Sequence, residues 1–155
     1  MLGLHVRPGP PGRDTPDWPD NLSAALNAFD TPADVLADTG LGHATAPAGA
    51  AIYTRGGQGY RVAASDATDH HVETAGGLKL YVLPSNGVLH ADAFGCDPTG
   101  TVECAAQMNR FLQTCVTTGV PGRSSGTYRC SATIAPGGTI TWHAGYTVLS
   151  FDVST

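Results

Sequence analysis

Residues 93–131 constrain the fold more than any other stretch, because they join a Gly-rich turn, a helix pattern and a strand pattern in that order. Apolar residues in the middle of the stretch lie on one stripe of a helix, at Ala105, Met108, Leu112, Cys115 and Val116. This spacing predicts an amphipathic helix over 102–117. Thr101 is the predicted N-cap, Glu103 lies near the positive end of the helix dipole, and Gly119 ends the helix.

Strand patterns follow the predicted helix. Residues 126–134 alternate between apolar and polar side chains, and shorter patterns follow at 139–143 and 146–151. Short strands at turn intervals of about ten residues favour a coil of strands or a sandwich. We expect this chain to contain only the beginning of such a structure.

A period of two also marks the region before the stretch, at 51–54, 60–63 and 78–83. Gly56–Gly59 forms a Gly-rich turn between the first two patterns. These features predict a small antiparallel β-module over 50–92. A module of this size is marginal on its own, which favours oligomerisation.

The first 49 residues have a different character. Repeated prolines exclude a helix or a central strand over 1–19 and predict an extended arm, with Trp18 as its one large apolar side chain. Two interpretations stay open, a tail without fixed structure or an arm that docks on a partner. A short helix is predicted next, with its apolar stripe at Leu22, Ala25, Leu26 and Phe29. A second begins at Thr31 as N-cap, reaches about Ala37 and stops by Gly40.

The composition argues against several classes of function. Charged residues are only 14% of the chain, the net charge is −5, and Lys and Arg are scattered singly, so a nucleic-acid partner is not expected. No run of apolar residues is long enough for a membrane span, and the N-terminus lacks a secretory signal pattern. We therefore expect the protein to be made and assembled in a cytoplasm, without membrane insertion.

No motif for a cofactor, a nucleotide or a metal is present, so no cofactor is expected. His70 and His71 are adjacent, so on a strand their side chains point to opposite faces, which favours a surface or interface pair over a metal site. The four cysteines lack C-x-x-C spacing and are predicted to be buried reduced thiols. Bridges between Cys96 and Cys104, or between Cys115 and Cys130, remain geometrically open.

Three carboxylates lie near the predicted helix start, at Asp92, Asp97 and Glu103. A pair of carboxylates is what sugar hydrolysis requires, so these residues are candidates for catalysis. Capping of the turn and of the helix is the ordinary explanation for acidic residues at such positions. We therefore expect a structural role for them and no catalytic residue in this chain.

Several short matches make the chain resemble the segment that opens the pectate-lyase-like right-handed parallel β-helix of phage tailspike and tail-fibre proteins. They are Ala93-Phe94-Gly95, Gly100-Thr101, Ala105-Ala106-Gln107 and Gly126-Thr127-Tyr128. The preceding β-module is also similar to one found in many phage tail proteins. The chain departs from the family pattern at Glu103-Cys104, where paired aspartates are usual, and at Ser124-Ser125, where proline and alanine are usual.

The resemblance implies a mainly β fold in three parts: an arm with short helices over 1–49 that docks on the virion, a trimerising β-module over 50–92, and a capping helix with the first rungs of a right-handed parallel β-helix over 93–155. The function implied is that of a structural virion protein, the attachment region of a homotrimeric tailspike or tail fibre used in host adsorption. Its partners would be other virion proteins of the tail or capsid and, through a distal part, a host surface glycan.

Two sets of side chains are candidates for these contacts. The virion-docking candidates are Trp18, Leu22, Leu26 and Phe29. The trimer-interface candidates are Tyr60, His70, His71, Leu80 and Val82. The alternatives are the N-terminal part of a polysaccharide depolymerase whose catalytic rungs lie beyond this chain, a capsid spike, and a carbohydrate-binding module. The family's sugar-cleaving carboxylates lie many rungs into the β-helix, so none is carried over to this sequence.

Overall fold

A computed structural model of the protein describes residues 29–135 and 137–138. Helices and strands follow one another in this order: α1 (Pro32–Ala37), β1 (Ala51–Tyr53), β2 (Gly59–Val62), β3 (Val72–Glu73), β4 (Lys79–Leu83), β5 (Leu89–His90), a 3₁₀ helix (Ala91–Phe94), β6 (Thr99–Glu103), α2 (Ala105–Thr118), β7 (Gly122–Arg123) and β8 (Thr127–Arg129). The arm over 1–19 and the strands predicted at 139–143 and 146–151 lie outside the described residues, as does most of the first predicted helix.

Helix α1 forms where local sequence signals predict it. The Thr31 hydroxyl accepts a hydrogen bond from the Asp34 amide at 3.3 Å, and the Asp34 carboxylate accepts one from the Thr31 amide at 2.9 Å. This reciprocal capping box satisfies amides that the first turn leaves unpaired. The helix ends at Asp38, whose extended backbone stops it before Gly40. Val35 is fully buried and fixes the helix on the core.

The antiparallel β-module is confirmed. Its four strands lie in the order β1-β2-β4-β3, and every neighbouring pair is antiparallel. Tyr60 in the central strand β2 pairs with Ile52 on one side and Val82 on the other. Strand β3 was not predicted, because its two residues are too few to show alternation.

Helix α2 packs one face on the core and ends as predicted. Gly119 adopts a left-handed backbone with φ of 69°, and its amide donates to the Cys115 carbonyl at 3.0 Å. The buried side chains are Ala105, Met108, Phe111, Leu112, Thr114 and Cys115. Thr114 is polar, and its hydroxyl donates to the Arg110 carbonyl at 2.8 Å. The helix crosses closely over β7, where a Cβ on Gly122 would lie 2.8 Å from the Phe111 ring.

Two parallel strand pairs flank α2 in the chain. Strand β5 pairs with β7, and β6 pairs with β8. Each pair therefore joins a strand before the helix to a strand after it. The β6–β8 register runs from Thr99 opposite Thr127 to Glu103 opposite Arg129, with an irregularity between these positions.

The hydrophobic core is continuous from α1 to the helix α2. The His71 ring of the module stacks on Phe94 with centroids 6.0 Å apart, and Phe94 in turn lies 5.5 Å from the Phe111 ring of α2. The core therefore crosses the boundary predicted between residues 92 and 93. The described fold is mixed: an antiparallel sheet, two short parallel pairs and two helices. The antiparallel module and the helix that follows it are as expected for the predicted fold class.

Candidate functional site

The start of α2 meets the parallel pair β6–β8, and we call this region the helix–strand junction (residues 97–105 and 125–131). The amide of Cys104 donates to the Arg129 carbonyl at 2.9 Å, so the strand pairing continues up to the residue that precedes the helix. Gly126 passes very close to Pro98, since a Cβ there would lie 2.6 Å from the Pro98 Cβ. Only glycine fits at this crossing, which explains the first residue of the Gly126-Thr127-Tyr128 motif.

Asp97 organises the turn that leads into β6. Its carboxylate accepts hydrogen bonds from the amides of Thr99, Thr101 and Val102 at 3.0, 2.9 and 2.8 Å. The hydroxyls of Thr99 and Thr101 donate to the same carboxylate at 2.8 Å each. These donors, led by those of Thr99, hold the pKa of Asp97 far below its usual range. The carboxylate therefore stays ionised and fixes the turn.

Glu103 joins the helix start to the segment after β8. Its Oε1 atom accepts from the Ala105 amide at 3.0 Å, and its two oxygens accept from the Ser131 amide at 3.0 and 2.9 Å. These bonds lower the pKa of Glu103, Ser131 contributing most. The prediction that Glu103 serves the helix N-terminus is thus consistent with its bond to the first helical amide.

The prediction of Thr101 as N-cap is wrong. The helix begins at Ala105 and Cys104 occupies the N-cap position, without a side-chain hydrogen bond to the helix. Thr101 instead lies in β6, and its hydroxyl binds Asp97. Residues 102 and 103 belong to β6, which pairs with β8, so they are part of a strand and not of the helix.

Asp92 ties the 3₁₀ helix to the loop before β8. One carboxylate oxygen accepts from the Tyr128 hydroxyl at 2.7 Å and the other from the Ser125 hydroxyl at 3.2 Å. Burial and the Asp92 carboxylate both raise the pKa of Tyr128, so its hydroxyl remains a donor. Asp92, Asp97 and Glu103 are thus all engaged by donors of the chain itself. The hydrogen bonds of these three carboxylates hold β6, α2 and β8 together.

Three of the five trimer-interface candidates are unavailable to a partner, so their assignment is corrected. Tyr60 and Leu80 are fully buried and Val82 is 3% exposed, all within the core of the same chain. The Tyr60 hydroxyl donates to the Ala93 carbonyl at 2.9 Å. Tyr60 thus connects the module to the 3₁₀ helix beside it.

His70 and His71 occupy different surroundings. The amide of Val82 donates to Nδ1 of His71 at 3.0 Å, and the His71 ring stacks on Phe94 with centroids 6.0 Å apart. Burial lowers the pKa of His71, so the ring is neutral at neutral pH. His70 lies 3.6 Å from the Glu73 carboxylate at the surface. The two rings face different partners, as expected for adjacent residues.

The virion-docking candidates are described only in part. Trp18, Leu22 and Leu26 lie outside the described residues. Phe29 is half-buried against the core, and its carbonyl accepts from the Arg55 amide at 3.0 Å. Phe29 therefore fixes the beginning of the described part of the chain on the core.

The described residues hold no group of three or more His, Cys, Asp or Glu side chains that could bind a metal ion. The helices among them are too short and too polar to span a membrane. All four cysteines are free; Cys96, Cys104 and Cys115 are buried as predicted, whereas Cys130 is half-buried.

A polar groove of about 440 Å³ lies beside the junction, lined by residues that include Asp30, Gln58, His90, Asp92 and Arg123. Burial and the nearby Arg123 guanidinium lower the pKa of His90. Sequence reasoning did not find this groove, because its residues come from four separate segments. Searches against protein-family models, curated proteins and solved structures give no match for this chain.

Proposed function

We propose that this chain is the N-terminal attachment region of a homotrimeric phage tailspike or tail fibre, a structural virion protein used in host adsorption. The observation that carries the proposal is the arrangement of β5, β6, α2, β7 and β8. Two strands precede the helix, two follow it, and each later strand lies parallel to its earlier counterpart.

This order is what the first two coils of a parallel β-helix require. In such a fold each coil repeats the strands of the previous one, and parallel neighbours are joined by long crossovers. Crossovers of this kind are right-handed in nearly all proteins. Helix α2 would then cover the open end of the stack, where unpaired strand edges invite unwanted pairing.

We propose that the stack of β-helix coils continues after residue 138. Among the described residues, β8 pairs with β6 alone, so its other side is free to receive a further strand. The strand patterns at 139–143 and 146–151 supply candidates for the next coil. A distal part that follows them would meet the host glycan.

The trimer contact has to use side chains that the single chain leaves exposed. The largest apolar ones among the described residues are Val102, which is 61% exposed, and Tyr53, which is 48% exposed. Both lie on strands that pair on one side only among the described residues, β6 and β1. We propose that these residues, with His70, replace the buried candidates at the interface.

Residues 1–28 would dock on another virion protein of the tail or capsid, and assembly would take place in the host cytoplasm. The proposal assigns no catalytic step and no cofactor to the described residues, because the three carboxylates of the junction region already serve structural contacts. A glycan-cleaving activity, where the whole spike has one, would belong to later coils.

Labelling of intact particles tests the proposed function. Antibodies raised against the purified chain are added to particles produced from the genome that encodes it, and bound antibody is located by electron microscopy. Label confined to the tail or to a capsid spike is the expected result. Purified particles that carry no label, while the antibody still binds the isolated chain, would refute the proposal.

A further inference from the structure

Three thiols meet at the helix–strand junction, where β6 and β8 end. Cys104 comes directly after Glu103 and Cys130 directly after Arg129, and these two preceding residues are paired in register. The Cys104 amide donates to the Arg129 carbonyl at 2.9 Å, so the pairing continues to the cysteines. In-register residues of neighbouring parallel strands project to the same face of the sheet, which brings the two thiols side by side.

The contacts of the thiols agree with this placement. Cys104 is 1% exposed, and its thiol lies against the thiols of both Cys96 and Cys130. Cys130 is the one member of the group that is half-buried, so it is the thiol that a dissolved reagent reaches. Neighbouring strands lie roughly 4.8 Å apart, which falls within the range of about 4.4–6.8 Å between the Cα atoms of a disulfide.

We propose that Cys104 and Cys130 form a thiol–disulfide modification site, which a small-molecule disulfide such as oxidised glutathione converts into a Cys104–Cys130 disulfide. This pairing differs from both bridges that the sequence left open. It would link the first strand pair covalently, on the inner side of the junction.

The reaction proceeds by two exchanges. The Cys130 thiolate attacks one sulfur of oxidised glutathione, which forms a mixed disulfide and releases one glutathione thiolate. The Cys104 thiolate then attacks the Cys130 sulfur, forms the protein disulfide and releases the second glutathione thiolate. The two cysteines lose two electrons to the reagent, and their two protons end on the released thiolates.

The surroundings of the thiols set the pace of this reaction. Burial, the Cys104 thiol and the Glu103 carboxylate raise the pKa of Cys130 above its usual range, so little thiolate is present at neutral pH. Oxidation is therefore slow, on the order of hours, the slow end for disulfide exchange. Only the timing of the reaction rests on the proposed function: the thiols would stay reduced during assembly in the cytoplasm and become oxidised after particles are released.

The test is oxidation of the folded chain by an excess of oxidised glutathione, followed by alkylation in denaturant, which exposes the buried thiols, and by mass spectrometry. The protein is expected to lose two hydrogen atoms in mass, to alkylate at two of its four cysteines, and to yield one peptide pair linked through Cys104 and Cys130. Cys130→Ser should leave the remaining thiols unmodified. Cys104→Ser should stop at a glutathione adduct on Cys130. Cys115→Ser, which removes the thiol outside the group, should oxidise as the unaltered chain does.

Circular dichroism establishes that each variant is folded, and the linked peptide of the unaltered chain supplies a readout that needs no variant. A link through Cys96 or Cys115, or no link in the folded chain, overturns the inference. The oligomer mass is measured on the same sample. A monomer that forms the Cys104–Cys130 link would contradict only the proposed function, whereas a trimer that fails to form it would contradict only this inference.

Discussion

The antiparallel module and the helix–strand junction lie next to each other in one core, yet they are stabilised by different interactions. In the module, β2 buries Tyr60 and Val62 on either side of the exposed Arg61, and β4 alternates between half-buried and buried side chains; Leu80 and Tyr60 are inaccessible to solvent. In the junction, β6 and β8 have no fully buried side chain, and the carboxylates of Asp97, Glu103 and Asp92 connect their ends.

This difference in side-chain burial separates a region that is covered by its own chain from one that is not. A sheet that buries one face with its own chain needs no further partner to cover that face. Short parallel strands with exposed side chains are unusual, since parallel sheets are normally covered on both faces. The exposed strands of the junction therefore support the proposal that a β-helix begins there.

Leu80→Ala should have the largest effect, because it removes a fully buried side chain from the module. The expected loss of unfolding free energy is about 3 kcal/mol, within the range measured for Leu-to-Ala changes in cores. Chemical denaturation at a fixed protein concentration measures it. Leu83→Ala, a change on the same strand at a half-exposed position, is the control and should cost clearly less. Equal losses would show that the module core does not dominate stability.

Tyr128→Phe addresses the junction and should cost less. It deletes the hydroxyl that donates to Asp92 at 2.7 Å and keeps the ring. The expected loss is about 1 kcal/mol, the usual net contribution of one hydrogen bond. Tyr53→Phe makes the same change at an exposed position and should alter the stability by a few tenths of a kcal/mol at most. If the Tyr128→Phe protein is as stable as the unaltered chain, the hydrogen bond between Tyr128 and Asp92 does not stabilise the junction.

Asp97→Asn should change the response of the protein to acid. The folded-state pKa of Asp97 lies below the value of 3.8 expected for the unfolded chain. Its contribution is therefore fully present above the unfolded pKa and is lost as pH falls toward the folded pKa. Asp97→Asn should be less stable at neutral pH and should lose less stability between about pH 5 and pH 2.

The control for this experiment is Thr99→Ala, which removes a hydroxyl donor but keeps the carboxylate. Its loss of stability over the same acid range should be intermediate. If Asp97→Asn and the unaltered chain respond identically to acid, Asp97 is not the residue that fixes the turn.

Val102→Lys should have the smallest effect on folding, because Val102 is 61% exposed. The change in unfolding free energy of the single chain should stay within about 0.5 kcal/mol. Its effect should appear in association, since a charge at the proposed interface opposes contact between copies. Thr117→Lys on the exposed face of α2 is the matched control. Sedimentation that is unchanged by Val102→Lys would exclude Val102 from the interface.

Local signals in the sequence were sufficient for part of the fold. The capping box of Thr31 and Asp34 specifies α1 by itself, and Gly119 specifies the end of α2, because both act within one turn of the helix. Alternation likewise located β1, β2 and β4. Each of these features depends on residues that are neighbours in the chain.

The errors came from contacts between distant residues. Thr101 has the character of an N-cap, but β6 pairs with β8, which follows the entire helix, and this pairing places Thr101 in a strand. Tyr60, Leu80 and Val82 match the composition of an interface, but all three are buried in the core of their own chain, where the Tyr60 hydroxyl donates to the Ala93 carbonyl. The thiol pair Cys104 and Cys130 was missed for the same reason, since only the strand register brings the two residues together.

The mass of the chain in solution tests the central claim most directly. Sedimentation equilibrium of the purified chain over a wide range of concentrations gives the mass without reference to shape. The account predicts three times the mass of one chain, with dissociation only on dilution. The mass of a single chain at every concentration would contradict the assignment of this protein as the attachment region of a trimeric spike.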